Sequence, residues 1–119
     1  MVGIDTEERM NEYSWATFPH EEKIEAKLEN YTQFVCDTLH PMICKRWNCS
    51  ADVAILGGSL GGSSAFWMAW HRSDLFCKVA AFSGSFWMDD PSMQEQVLAC
   101  EDLPSLRIYL DSGDCNGDG

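Results

Sequence analysis

Asp52-Val53-Ala54-Ile55-Leu56-Gly57-Gly58-Ser59-Leu60-Gly61-Gly62, followed by Ser63-Ser64-Ala65-Phe66-Trp67-Met68-Ala69-Trp70, is a short apolar run, a glycine-rich hinge with one serine at its centre, and a second apolar run. That order describes a buried strand turning sharply into a helix. From Gly57 to Gly61 the hinge has the pattern Gly-x-Ser-x-Gly. A hydroxyl that attacks a carbonyl has to project from such a turn, so its own backbone is strained, and the residues two before and two after it pass close to neighbouring chain. Gly57 and Gly61 are the small residues this needs. Ser59 stands where the helix begins, so free N–H groups of the first turn point at the reacting carbonyl, and the Leu60 N–H can donate to a developing oxyanion. One such donor is worth about 3 kcal/mol of transition-state stabilisation.

Two other readings compete. Glycine and serine also dominate flexible turns, and the five-residue pattern recurs by chance. A phosphate loop fits less well, because no lysine follows Gly62 and the glycines do not fall at the dinucleotide spacing. The strand before the hinge and the helix after it favour a nucleophile elbow, with Ser59 as the attacking group.

At 119 residues the chain is long enough to bury a core but short for a complete α/β enzyme, which suggests a fragment. Eight basic residues stand against 19 acidic ones, a net charge of −11, so nucleic acid is not an expected partner. Six cysteines are scattered without a Cys-x-x-Cys pair or a zinc-like spacing, and no metal is expected. Cys36, Cys44 and Cys77 sit among apolar residues and read as small buried hydrophobes rather than disulfide partners, which favours a reducing, cytoplasmic setting. No apolar stretch approaches the ~20 residues of a membrane span, and Met1-Val2-Gly3-Ile4-Asp5 is not a signal peptide.

Outward from the hinge, Ile24, Leu28, Tyr31, Val35 and Leu39 recur at helical spacing and predict a helix from Glu21 that Pro41 kinks or restarts, with Ile43 and Trp47 continuing the apolar face to about Arg46. Upstream, Val2–Asp5 reads as a strand end, Thr6–Tyr13 as a solvated charged segment, and Tyr13–His20 as an aromatic loop pinned by its rings. Downstream, Lys78–Phe82 is a second strand leading into Ser83-Gly84-Ser85, Met93–Cys100 an amphipathic helix, and Leu106–Leu110 a third strand. Strands alternating with helices at this spacing imply a parallel sheet.

Parallel sheets carry their working groups at the carboxyl ends of the strands. The third strand runs into Asp111-Ser112-Gly113-Asp114-Cys115-Asn116-Gly117-Asp118-Gly119, where a carboxylate could orient a histidine. The plainer readings are an acidic turn or a piece of a calcium loop, the latter lacking a closing glutamate.

Taken together, Gly3-Ile4-Asp5 with Glu8-Arg9 and Glu12-Tyr13, the Gly57–Gly62 hinge, Asp74–Ala80, Ser83–Trp87 and Tyr109–Gly113 resemble the putative-esterase family of α/β hydrolases, which includes enterochelin-esterase-like proteins and S-formylglutathione hydrolase. The resemblance runs collinearly over nearly the whole chain. It implies the central part of an α/β-hydrolase fold, a mostly parallel sheet with flanking helices truncated at both ends. It further implies a Ser, acid, His triad with Ser59 as nucleophile, a small-molecule ester or thioester substrate, and no cofactor. The acid should lie between Asp111 and Asp118, with Asp114 favoured because Asp111 still belongs to the strand end, where it can brace the turn, and Asp118 lies further out. A second oxyanion donor is implied near Ile4 and Asp5, in a loop one residue shorter than the family pattern. In the order Ser, acid, His, the histidine follows one more strand, and the 119 residues stop before it. Of the three histidines, His71 falls at the far end of the hinge helix, about 18 Å from Ser59 at 1.5 Å per residue, and reads as a cap on that helix's carbonyls; His40 reads as a surface or packing residue, and His20, in the aromatic loop, alone could approach the site. The chain by itself is therefore expected to be an inactive esterase fragment. The alternative is a non-catalytic α/β-hydrolase-fold binding protein whose mouth is formed by Ser83–Trp87 and Tyr13–Phe18.

Overall fold

A computed structural model of the protein describes residues 1–15, 24–88 and 92–113. Its elements are α1 (Arg9–Glu12), α2 (Leu28–Gln33), a π-helical stretch (Phe34–Leu39), α3 (His40–Arg46), β1 (Val53–Gly58), α4 (Leu60–His71), β2 (Phe76–Phe82), a 3-10 turn (Phe86–Met88), α5 (Ser92–Ala99) and β3 (Arg107–Asp111). They fall into two compact units, Met1–Ala51 with Trp87–Leu103 and Asp52–Phe86 with Pro104–Gly119.

The second unit holds a three-stranded parallel sheet in the order β1-β2-β3. Its register aligns Gly58, Phe82 and Asp111 in one row, so all three strands end at the same level. Strand and helix alternate here as their apolar spacing predicts, and the fold class is α/β. Helix α4 packs on β1 and β2. Its small residues let it come close: a Cβ added at Gly62 would lie 3.4 Å from the Cα of Ala81, which is fully buried. Phe66 and Met68 are buried on the same helix and contribute about 2–3 kcal/mol each by removing apolar surface from water. Both strand boundaries move slightly from expectation, β2 beginning at Phe76 and β3 ending at Asp111 rather than Leu110.

The first unit departs further from its sequence pattern. Helix α2 begins at Leu28, whereas a start at Glu21 was expected; Glu21–Lys23 lie outside the described residues, and 24–27 are not helical. The reason is a competing set of partners. Lys27 N–H donates to Asn11 O at 2.9 Å, Leu28 N–H to Ser14 O at 3.1 Å and Glu25 N–H to Asn11 Oδ1 at 3.1 Å, so these donors serve the preceding segment instead of a helix ladder. That segment is no featureless charged stretch: Arg9–Glu12 form one helical turn, Glu8 pairs with Lys27 at 2.9 Å, and Tyr13 leans on Tyr31 with ring centroids 5.3 Å apart. Val2–Asp5 form no strand. Pro41 is accommodated as a restart: it lies in the first turn of α3, and the carbonyl it would strike, that of Asp37, belongs to the wider π turns just before it. Trp47 is extended and 57% exposed, so the apolar face ends before it.

Cys44 is not a buried hydrophobe. It forms a disulfide with Cys49, their Cα atoms 5.2 Å apart, linking the last turn of α3 to the segment that leaves it. Cys36 is a buried thiol, while Cys77 is half-buried and hydrogen-bonded to Asp52. With Cys44 paired, the unpaired-thiol support for a reducing compartment is lost.

Candidate active site

Strand β1 ends at Gly58 and α4 begins at Leu60, so the whole reversal falls on Ser59, whose backbone sits at φ 55°, ψ −129°. Positive φ is strained for any residue with a Cβ. The strain is held by four hydrogen bonds. Ser59 N–H donates to Phe82 O at 2.9 Å, and Ser59 O accepts from Gly62 N–H at 2.9 Å, Ser63 N–H at 3.3 Å and Ser85 N–H at 3.2 Å. Glycine at 57 is obligatory, because a Cβ there would sit 2.1 Å from the carbonyl oxygen of Gly61.

A serine at a helix N-cap normally turns its oxygen onto the N–H two or three residues on. Ser59 occupies that position without a side-chain cap bond; its hydroxyl instead lies 3.2 Å from Ser85 Oγ. The neighbouring serines behave differently. Ser63 and Ser64 are buried and donate back to Leu60 O at 3.1 and 2.8 Å, an internal use of the hydroxyl. Among the serines of the turn and first helical turn, Ser59 alone is exposed. Leu60 N–H belongs to the first turn of α4, where a backbone donor has no partner four residues back.

The carboxyl end of β2 supplies the adjoining loop. Ser83 also has positive φ, 46°, and its N–H donates to Asp111 Oδ1 at 2.7 Å, while Tyr109 OH lies 3.4 Å from Asp111 Oδ2. Asp111 thus braces the neighbouring strand end. Asp114 and Asp118 lie outside the described residues, as does His20. In the same unit as Ser59, His71 closes the far end of α4, its Nδ1 2.9 Å from Trp67 O and its ring stacked on Trp67; in the first unit, His40 Nε2 lies 3.4 Å from Cys44 Sγ. Ser85 was not singled out from the sequence, and the signal for it was a small-residue loop at the strand end next to the hinge.

A cleft of about 440 Å³ opens at the opposite, amino end of the strands, lined in part by Asp52, Cys77, Lys78 and Arg107. Three of these groups satisfy one another. The Cys77 thiol donates to Asp52 Oδ1 at 2.8 Å and Lys78 Nζ bonds Asp52 Oδ2. The Cys77 hydrogen bond, then Lys78, hold the Asp52 carboxyl below its ordinary pKa, and the Asp52 carboxylate pushes the Cys77 thiol up. A thiol with a raised pKa is a poor nucleophile. Among the described residues no three His, Cys, Asp or Glu side chains converge as a metal would need, and no helix is long and apolar enough to cross a membrane.

The family model described as "Putative esterase" matches residues 1–119. Among curated proteins, the chain is 24% identical over 124 residues to the "Uncharacterized protein YbbA" of Bacillus subtilis (strain 168), an alignment that covers 98% of this chain and 49% of that protein. The chain therefore spans about half the length of the curated relative it matches. No solved structure matches it.

Proposed function

The chain belongs to the "Putative esterase" family, and from that premise we propose that Ser59 is the nucleophile of a serine hydrolase that cleaves carboxylic esters or thioesters. The observation that carries this is the hydroxyl of a strained, exposed serine that stands between strand and helix and caps nothing. In the proposed reaction Ser59 Oγ bonds to the substrate carbonyl carbon while its proton passes to a base. The carbonyl oxygen takes up the negative charge beside the Leu60 N–H, and collapse expels the alcohol or thiol, which receives the proton, leaving an acyl-enzyme that water hydrolyses. Gly57 and Gly61 are assigned the role of letting the elbow close.

Asp114 is the proposed acid, because Asp111 is committed to Ser83 N–H; Asp118 remains the outer alternative. The proposed base is a histidine that follows a further strand, outside the 119 residues, so that these residues form part of an esterase domain and show negligible turnover alone. Saturable ester cleavage by the 119-residue chain, abolished in Ser59→Ala, would contradict that part. One observation favours a binding role instead: His71, the described histidine in the same unit as Ser59, makes its contacts at the far end of α4. The deciding experiment is hydrolysis of p-nitrophenyl acetate by the protein expressed from its complete reading frame. Ser59→Ala should lower kcat by about a thousandfold or more. Undiminished hydrolysis in that variant excludes Ser59 as nucleophile, and a folded wild-type protein without hydrolysis favours binding.

A further inference from the structure

We infer that Ser85 is a positioning residue for Ser59: its hydroxyl donates to Ser59 Oγ, holding that oxygen in one rotamer and sharing the charge that develops on it as its proton leaves. The inference rests on Ser59 being the nucleophile. Its geometric basis is a contact of 3.2 Å between the two Oγ atoms, from a residue only 5% exposed. A buried hydroxyl requires a partner, and serines in loops ordinarily find one in nearby backbone. The partner of Ser85 Oγ described here is the side chain of Ser59, 26 residues away.

The loop that carries Ser85 is held rigidly enough to aim it. Ser85 N–H donates to Ser59 O at 3.2 Å, tying the two residues by backbone as well as by side chain. Gly84 has room for nothing larger, since a Cβ there would lie 2.5 Å from the Phe86 ring, and that ring meets Phe66 edge-on at 5.5 Å and 87°. The Gly84 Cα also presses on the first turn of α4, 3.3 Å from where a Gly62 Cβ would be. One residue before Gly84, Ser83 N–H fixes the loop to Asp111.

The direction of the hydrogen bond follows from the chemistry. A nucleophilic Ser59 must direct its own O–H at the base that deprotonates it, and each hydroxyl has one proton to give. Ser85 is then the donor across the 3.2 Å contact, and Ser59 Oγ accepts. An O–H···O bond strengthens as the acceptor gains negative charge, so the contact is worth more as the proton leaves than at rest. Once Ser59 carries an acyl group its Oγ is an ester oxygen and a poorer acceptor, which frees Ser85 until the acyl group departs.

The test is the rate at which a fluorophosphonate phosphonylates Ser59 in the protein from its complete reading frame, with the limiting rate separated from the half-saturating concentration. In that reaction Oγ bonds to phosphorus, fluoride leaves, and the hydroxyl proton passes to the base. Ser85→Ala should lower the limiting rate about fivefold to tenfold, the worth of one hydrogen bond in an activation barrier. Half-saturation and thermal midpoint should stay close to wild type. Ser85→Cys, which keeps the side-chain shape with a somewhat larger atom but replaces a good donor by a weak one, should fall between wild type and Ser85→Ala and serves if the alanine variant does not fold. An unchanged limiting rate in either folded variant, or a loss confined to half-saturation, overturns the inference while leaving Ser59 as the nucleophile. Absence of phosphonylation at Ser59 in the wild-type protein overturns both.

Discussion

Ser59 holds φ at 55°, a conformation that disfavours every side chain beyond glycine, yet glycine there would remove the hydroxyl. Strain and reactivity are therefore properties of one residue, and stability measurements can separate them. Ser59→Gly and Ser59→Ala both delete the hydroxyl, but only alanine keeps a Cβ at positive φ. The glycine variant should be the more stable of the two by about 1 kcal/mol in denaturant unfolding, reversing the usual order in which glycine is the worse residue. Equal stability, or a more stable alanine variant, would show that the turn relaxes without strain. Two residues back, Gly57→Ala drives a methyl to within 2.1 Å of the Gly61 carbonyl oxygen and should lower stability by about 3 kcal/mol, read from the same unfolding curves. These residues were legible in the sequence because the demands on them are local: a hinge five residues long specifies its own glycines. Ser85 was not legible in the same way, and of Asp111 the bracing role was legible but not the partner. Their contacts, to Ser59 and to Ser83 N–H, span 26 and 28 residues and exist only once β1, β2 and β3 are in register.

Elements were readable where one interaction dominated. The buried helix α4 and the strands beside it follow from apolar runs that nothing contests. Helix α2 does not follow from its pattern, because Asn11 and Ser14 offer backbone and side-chain acceptors to Glu25, Lys27 and Leu28, and periodicity carries no record of them. The Cys44–Cys49 disulfide was hidden for a related reason: apolar neighbours around Cys44 say nothing about a partner beyond the helix end. At the amino end of β2, the hydrogen bond from Cys77 and the Lys78 ammonium hold the Asp52 carboxyl below its ordinary pKa. A carboxyl with a depressed folded pKa contributes stability that is complete above its unfolded value and lost as pH falls through the folded one. The thermal midpoint should therefore fall with acid below about pH 4, and Asp52→Asn should make that fall shallower. The effect is small, because the pair is solvent-exposed. An identical acid limb in the variant would remove Asp52 from the list of contributors.

Across the whole chain, charge and apolar surface oppose each other. A net charge of −11 favours separation of copies. Parallel sheets are ordinarily covered on both faces, however, and here Leu56, Phe82 and Tyr109 share one face by register with exposures of 58, 43 and 54%. Exposed apolar strands of this kind drive association. The 119-residue chain should enhance 8-anilinonaphthalene-1-sulfonate fluorescence and self-associate in light scattering; a monodisperse monomer that leaves the dye dark would contradict this. The α/β class and the order of the strands were legible at this scale, because alternation of strand and helix survives any change in surroundings. Which surfaces end up covered was not, since that depends on chain packed against chain. The most direct measurement of the central claim is mass-spectrometric mapping of fluorophosphonate adducts on the protein from its complete reading frame, with Ser59→Ala as the control. One adduct on the peptide carrying Ser59, absent in the control, is the predicted result; a folded protein without an adduct, or one whose adduct persists in Ser59→Ala, would contradict it.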